Sequence, residues 1–331
     1  MQNRSRGFAR SLAVSLALFA LAPAASAVSI AWTPVGNAGN ACEAQLQGCF
    51  GAVNYDYLIG TYEVTNTQYA EFLNAKAAAD PVALYNTRMG TGFDGGITRT
   101  GSSGSYSYSA IAGRGNMPVN YVTFYDALRF ANWLHNGQGA GDTETGAYTL
   151  LGGTATPTNG STVSRNAGAT IFLTSESEWY KAAYYGALSS IYFDYPAGSD
   201  TQTVCSLPTA TANHANCYAT VDHVTIVGSY TGSASPYGTF DQGGNVFEWI
   251  EAFINGANPA IRGGAAGSYA NSLSAQSRSF TSPTLDSFGL GFRVASCVTL
   301  PCTPAPVPEP STGLLLMIGL LGLVRRRRPN V

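Results

Sequence analysis

The sequence predicts an α+β domain with little regular secondary structure, and three observations carry that expectation. Three segments begin with a helix-capping signature, each long enough for about three turns. Strand-like runs are brief, and stretches rich in glycine, serine and threonine separate them. Glycine, 38 of 331 residues, is too abundant for a helical bundle, and 11% charged against 45% hydrophobic residues is wrong for a disordered polyelectrolyte.

Taken in chain order, residues 57–62 read as the opening strand. Thr65 and Gln68 then form a capping box, with Val64 and Tyr69 placed as a hydrophobic staple. Tyr69, Phe72 and Leu73 mark the buried face of that helix. Residues 90–115 and 137–168 are long for structureless loops in a compact domain, so hairpins, a metal or disulfides are expected to pin them. Between them Thr123 caps a helix running to Leu134, with Ala127, Phe130, Ala131 and Leu134 at helical spacing. Residues 171–173 form a short strand, followed by a third capping box, Ser175 with Glu178, ahead of Trp179, Ala182 and Ala183. Residues 224–230 and 291–295 complete the expected strands.

The charge is unevenly spread. Of 17 basic residues, seven lie at the ends: Arg4, Arg6, Arg10 and residues 325–328. Between residues 11 and 324, ten basic side chains face nineteen acidic ones, a net of −9. Such a body repels phosphate backbones, which excludes nucleic acid as a partner, and suits divalent cations.

Residues 1–27 read as a signal peptide for the Sec machinery: the three arginines, an apolar stretch over residues 12–21, and the small-residue cleavage site Ala25, Ser26, Ala27. The apolar run is shorter than the ~20 residues needed to span a bilayer. Export gives the six cysteines an oxidising setting. Cys42 with Cys49, Cys205 with Cys217, and Cys297 with Cys302 fall as three sequence-local couples, which suggests three disulfides among the 15 possible connectivities.

At the other end, Val307, Pro308, Glu309 and Pro310 precede a 13-residue apolar run (312–324) and four arginines (325–328). As a helix that run covers about 20 Å, short of a hydrocarbon core near 30 Å. The arginines hold it at the cytoplasmic face. The arrangement resembles the PEP-CTERM sorting signal of Gram-negative bacteria that make extracellular polysaccharide. The resemblance implies recognition by an exosortase, transient membrane anchoring through the C-terminal helix, and delivery to the cell surface or matrix. The expected organisation is a signal peptide (1–27), a domain (28–300), a linker (301–306) and the sorting segment (307–331).

Chemistry-bearing residues are sparse. His135 follows a helix end, where a dipole contact is its ordinary role. Cys205, His214, Cys217 and His223 have a spacing that fits no common zinc module. No nucleophile elbow, phosphate loop or H-E-x-x-H motif occurs. The segment 240–249 is more informative, because Asp241 and Glu248 flank a Gly243-Gly244 turn. Side-chain and carbonyl oxygens there could converge on a hard cation such as calcium, or the turn could simply lead into a helix or strand with Trp249 in the core.

Several segments, read together, resemble the sulfatase-modifying factor family, whose founding members are formylglycine-generating enzymes. They are Tyr62-Glu63-Val64-Thr65-Asn66 with Tyr69, Phe72, Leu73 and Asn74; Met117-Pro118-Val119 with Val122-Thr123-Phe124 and Asp126-Ala127; and Leu173 through Trp179. Gly243-Gly244-Asn245-Val246-Phe247-Glu248-Trp249, Arg262-Gly263-Gly264 and residues 289–293 complete the ordered set. The resemblance implies a C-type-lectin-like α+β fold with low regular content and structural calcium. One calcium site would map onto Asp241, Gly244, Val246 and Glu248, with Gly244 and Val246 giving carbonyls. Another would map onto Asn216, the Cys217 carbonyl and Asp222.

Where the family's oxidases carry a copper-binding cysteine pair, this chain has Ser268 and Leu273. A hydroxyl cannot replace a thiolate toward a soft metal, and leucine offers no ligand, so copper is not expected. Ergothioneine-building relatives take iron from an added His-rich helical domain that is absent here. Arg262, Arg278 and Arg293 are conspicuous cations, suited to pairing with buried carboxylates or to binding substrate. The expectation is an exported, non-catalytic surface or matrix protein that binds extracellular polysaccharide or a surface protein. The alternative is an oxidoreductase of the same family acting on an exported substrate.

Overall fold

The computed structural model describes residues 27–299 and Cys302. The signal peptide up to residue 26, most of the linker and the sorting segment with its apolar run lie outside the described residues. Among the described residues no helix is long and apolar enough to cross a membrane.

All three capping boxes form. Thr65 caps α1 (Asn66–Lys76), Thr123 caps α3 (Phe124–His135) and Ser175 caps α4 (Glu176–Tyr184), each with its side chain accepting from the amide three residues on. Between the first two lies the single turn α2 (Arg88–Thr91). In each box the side chain three residues on, Gln68, Asp126 or Glu178, returns a bond to the cap amide. That reciprocal pairing satisfies donors that a helix start otherwise leaves bare. The apolar faces of α1 and α3 meet in an aromatic core. Tyr69 and Phe72 lie edge to face at 5.3 Å, and Phe130 sits 5.4 Å from both Phe72 and Phe292.

A four-stranded antiparallel sheet backs this core in the order Trp32–Val35, Tyr57–Gly60, Val294–Cys297, Ile171–Leu173. A second sheet is built on the hairpin Phe247–Ile254 and Asn258–Arg262, flanked by Ser279–Phe280 and Leu290–Gly291. The expected strand over 291–295 is therefore split between the two sheets. The break sends Phe292 into the aromatic core and buries Arg293 completely.

The expected strand at 224–230 does not form. Its amides bond to side chains and a remote carbonyl instead of a ladder: Val224 to Asp94 Oδ2, Thr225 to Asn245 Oδ1, Val227 to the Asn116 carbonyl and Gly228 to Asp241 Oδ2. The glycine-rich stretch 90–115 holds the hairpin Ile97–Thr100 with Ser107–Ala110. The 137–168 stretch keeps only a short 3₁₀ turn, Gly160–Thr162, and side chains hold it in place. Asn132 bonds the Thr143 and Tyr148 carbonyls, and Arg129 bonds Glu144 and the Thr154 and Ala155 carbonyls. The three disulfides are the local ones, Cys42–Cys49, Cys205–Cys217 and Cys297–Cys302, and no described cysteine is free.

Candidate functional site

The Gly243-Gly244 turn leads into the strand Phe247–Ile254 and is built for close approach. Gly244 has φ of +92°, and a Cβ there would lie 2.3 Å from the Asn216 carbonyl. Asp241 and Asn245 on either side also take left-handed φ, +60° and +61°, a conformation that Asp and Asn tolerate better than most residues. Trp249, as one reading of the turn required, is buried, and its indole donates to the Val122 carbonyl.

Glu248 is fully buried and faces Arg293, which donates Nε to Oε2 at 2.6 Å and Nη2 to Oε1 at 2.7 Å. Trp179 Nε1 adds a third bond to Oε2 at 2.8 Å. The remaining guanidinium hydrogens go to the carbonyls of Gly60, Thr61 and Phe240. Glu248 is thus the counter-ion of Arg293, and its charge is already matched. Asp241 accepts from the Gly228 amide through Oδ2, and burial pushes its carboxyl up to about 6.

Sequence reasoning passed over Glu63. It is buried, accepts from Asn245 Nδ2 at 3.2 Å through Oε1, and leaves Oε2 without a partner. Burial, then the nearby Asp241 charge, hold its carboxyl well above the usual range. Two further carboxylates, Glu63 and Asp241, thus lie near the Arg293–Glu248 pair without bonding to its guanidinium. The only signal in the sequence was an acidic residue between Tyr62 and Val64, at the end of an apolar strand.

Asn216 is buried beside this cluster. Its Nδ2 donates to the His223 carbonyl and to Asn245 Oδ1, while its own Oδ1 has no partner. Asp222, grouped with it in the sequence reading, lies on an exposed loop, and the Cys217 carbonyl accepts from the Thr220 amide at 3.2 Å. Among the described residues no three His, Cys, Asp or Glu side chains gather closely enough to hold a metal through side chains alone. The buried excess of negative charge and the two orphaned oxygens suit a hard cation; the charge of Glu248, met by Arg293, does not await one.

The other arginines form a different centre. Glu176 Oε1 accepts from Arg262 at 2.7 Å and Oε2 from Arg278 at 2.6 Å. Arg262 also donates to the Ala275 and Ser277 carbonyls. Both guanidinium groups lie over the Phe50 ring, at 4.8 and 5.2 Å. All three arginines thus pair with buried carboxylates.

Ser268 and Leu273 are brought together by the turn at Gly264. A Cβ on Gly264 would lie 2.8 Å from Leu273 Cδ1 and 3.5 Å from Ser268 Cβ. Ser268 is half-buried and Leu273 fully buried. Leu273 packs with Tyr195, Ala215 and Cys217, and its carbonyl accepts from Tyr184. Ser268 Oγ accepts from the Ala265 amide at 3.0 Å. The nearby open space is a polar pocket of about 20 Å³, lined by Thr203, His214, Tyr230, Ser233, Thr239 and Asp241 among others. His214 bonds Ser206 and His223 bonds Asp94, so neither joins a metal cluster with the cysteines. His135, the last residue of α3, bonds Thr170.

The family model described as the sulfatase-modifying factor enzyme 1-like domain matches residues 49–298, and that of the PEP-CTERM protein-sorting motif matches residues 306–328. No curated protein matches the chain. Among solved structures, CarF is similar at 20% identity, covering 82% of this chain and 99% of its own, with a TM-score of 0.56. Treponema denticola variable protein 1 (20%, 82% and 96%, TM-score 0.48) and PvdO from Pseudomonas aeruginosa (17%, 81% and 92%, TM-score 0.47) also match. At such identities the CarF likeness speaks for the fold alone.

Proposed function

The chain belongs to the sulfatase-modifying factor family and carries the sorting motif of an exported cell-surface protein of a Gram-negative bacterium, and from that premise we propose a non-catalytic role for its domain. The domain serves as a rigid, calcium-braced scaffold that binds glycan or protein. An exosortase processes the tail, whose apolar run anchors the chain in the membrane until cleavage.

The observation that carries this reading is the lack of any thiolate at Ser268 and Leu273. Copper-dependent thiol oxidation needs thiolates to hold a soft metal. Here one position is a hydroxyl committed to a backbone amide, the other is packed leucine, and every described cysteine is in a disulfide. The test is oxygen uptake by the purified, copper-supplemented chain with a cysteine-containing peptide. Uptake no faster than that of copper alone is expected. Stoichiometric copper with peptide-dependent turnover would overturn the reading.

Calcium is proposed as a structural cofactor. Asp241 and the Gly244 and Val246 carbonyls of the expected set would hold it, with Glu63 supplying a second carboxylate in place of Glu248. Bound there, a divalent cation would neutralise buried charge and tie the turn to the strand end at Glu63. The buried, unpartnered oxygens of Glu63 and Asn216 support this.

A further inference from the structure

We propose that Tyr218 and Tyr269 form a stacking platform for a neutral, pyranose-based glycan, an inference that gives the binding role above a location and a ligand class. The two rings are 61% and 66% exposed and lie 5.2 Å apart with their planes at 44°. They are the two exposed tyrosines among the described residues, and most of the others are tied down through the hydroxyl. Twelve of the 19 tyrosine hydroxyls donate to an acceptor within the protein. The hydroxyls of Tyr218 and Tyr269 bond to nothing among the described residues, so both faces and polar tips are left for a ligand.

The backbone holds the pair in place at a cost. Tyr218 and Ala219 both take left-handed φ, +55° and +52°, a conformation unfavourable for a bulky L-residue and found where a site is prearranged. The Cys205–Cys217 disulfide immediately precedes Tyr218. Two bonds of 2.7 Å, from the Tyr218 amide to the Ser268 carbonyl and from the Ala219 amide to the Ala266 carbonyl, dock this loop onto the loop of Tyr269. The rings are therefore preorganised, which lowers the entropy lost on binding.

Charge and size select the ligand. Segments 217–222 and 264–273, which carry the rings, contain no Lys, Arg or His and a single acid, Asp222. A polyanionic polysaccharide would find no counter-charge there. The neighbours Ala219, Thr220, Ala266, Ser268, Ala270 and Asn271 are small and mostly offer hydroxyl, amide or methyl groups. That mixture complements the C–H faces and hydroxyls of a sugar ring; it lacks the apolar pocket an anchoring protein side chain requires.

The experiment is calorimetric titration of the full chain with three hexasaccharides: β-1,4-linked glucose, β-1,4-linked N-acetylglucosamine, and a uronate of equal length. At least one neutral hexamer is expected to bind, and the uronate to bind about tenfold more weakly or not at all. Tyr269→Ala and the Tyr218→Ala/Tyr269→Ala pair should each weaken neutral binding, the pair by about tenfold, with unchanged melting. Tyr269→Phe should retain most of it, since the ring face is kept. Binding of neither neutral hexamer, preference for the uronate, or equal affinity in the double variant overturns the proposal. Oxygen uptake on the same preparations separates the two readings: an active oxidase that still binds sugar through these rings would sink the non-catalytic role and leave the platform standing.

Discussion

Two of the buried arginine centres, at Glu176 and at Glu248, answer the same problem in opposite ways. At Glu176 one carboxylate faces two guanidinium groups, and the Phe50 ring takes part of the surplus positive charge on its face. At Glu248 the one guanidinium is taken up by that carboxylate, and the nearby Glu63 and Asp241 have no ion pair among the described residues. The first centre is complete with the protein's own groups. The second calls for a cation or for protons. Burial alone does not distinguish a structural ion pair from a site; the balance of charge does.

Breaking the complete centre should produce the largest effect. Glu176→Gln strands two arginines, one of them fully buried, and should cost about 3–5 kcal/mol of stability by denaturant unfolding. If the loss were under about 1 kcal/mol, the aromatic faces and carbonyls would be sufficient without the carboxylate. Calcium should act next. At pH 7.5, millimolar calcium is expected to raise the melting temperature by on the order of 5–10 °C over chelated protein. The same addition to Asp241→Asn should do little. An equal shift in both would place the cation elsewhere.

The smallest and sharpest effect concerns Glu63. The raised folded-state values of Glu63 and Asp241 mean that their contribution is fully present below the unfolded values. It is lost as pH rises through the folded ones, for Asp241 between the ordinary 3.8 and about 6. Chelated protein should therefore melt at a higher temperature at pH 5.5 than at 7.5, as far as these groups decide it. Glu63→Gln should stabilise the chelated protein at pH 7.5 by about 1 kcal/mol and flatten that pH dependence. A destabilised variant would show that the charged form of Glu63 is already satisfied, and the contrast between the two centres would fail.

The helices were legible because their signals are local. Thr65, Thr123 and Ser175 each meet their partner three residues on, and a capping box needs no knowledge of the rest of the chain. The disulfides followed the same logic of short separation. The strand expected at 224–230 failed because its amides are taken by Asp94, Asn245 and Asp241, and Asp94 is 130 positions from Val224. Alternating apolar residues cannot reveal a side chain arriving from so far away. Likewise, Asp241 and Glu248 were visible as a spaced pair, yet only the fold shows that Arg293 claims Glu248 and that Asp241 lies close enough to perturb Glu63. Tyr218 and Tyr269 stayed hidden among 19 tyrosines until the fold showed their rings exposed and adjacent.

The strand Val294–Cys297 lies inside its sheet, paired on one side with Tyr57–Gly60 and on the other with Ile171–Leu173. It is the last of the four strands in sequence, so the slot between its neighbours stays vacant until nearly the whole domain is present. When the slot fills, only a few residues remain before the stretch matched at 306–328. A truncation reaching back past residue 294 would therefore remove the sheet's inner strand along with the tail, leaving Tyr57–Gly60 and Ile171–Leu173 with no partner between them.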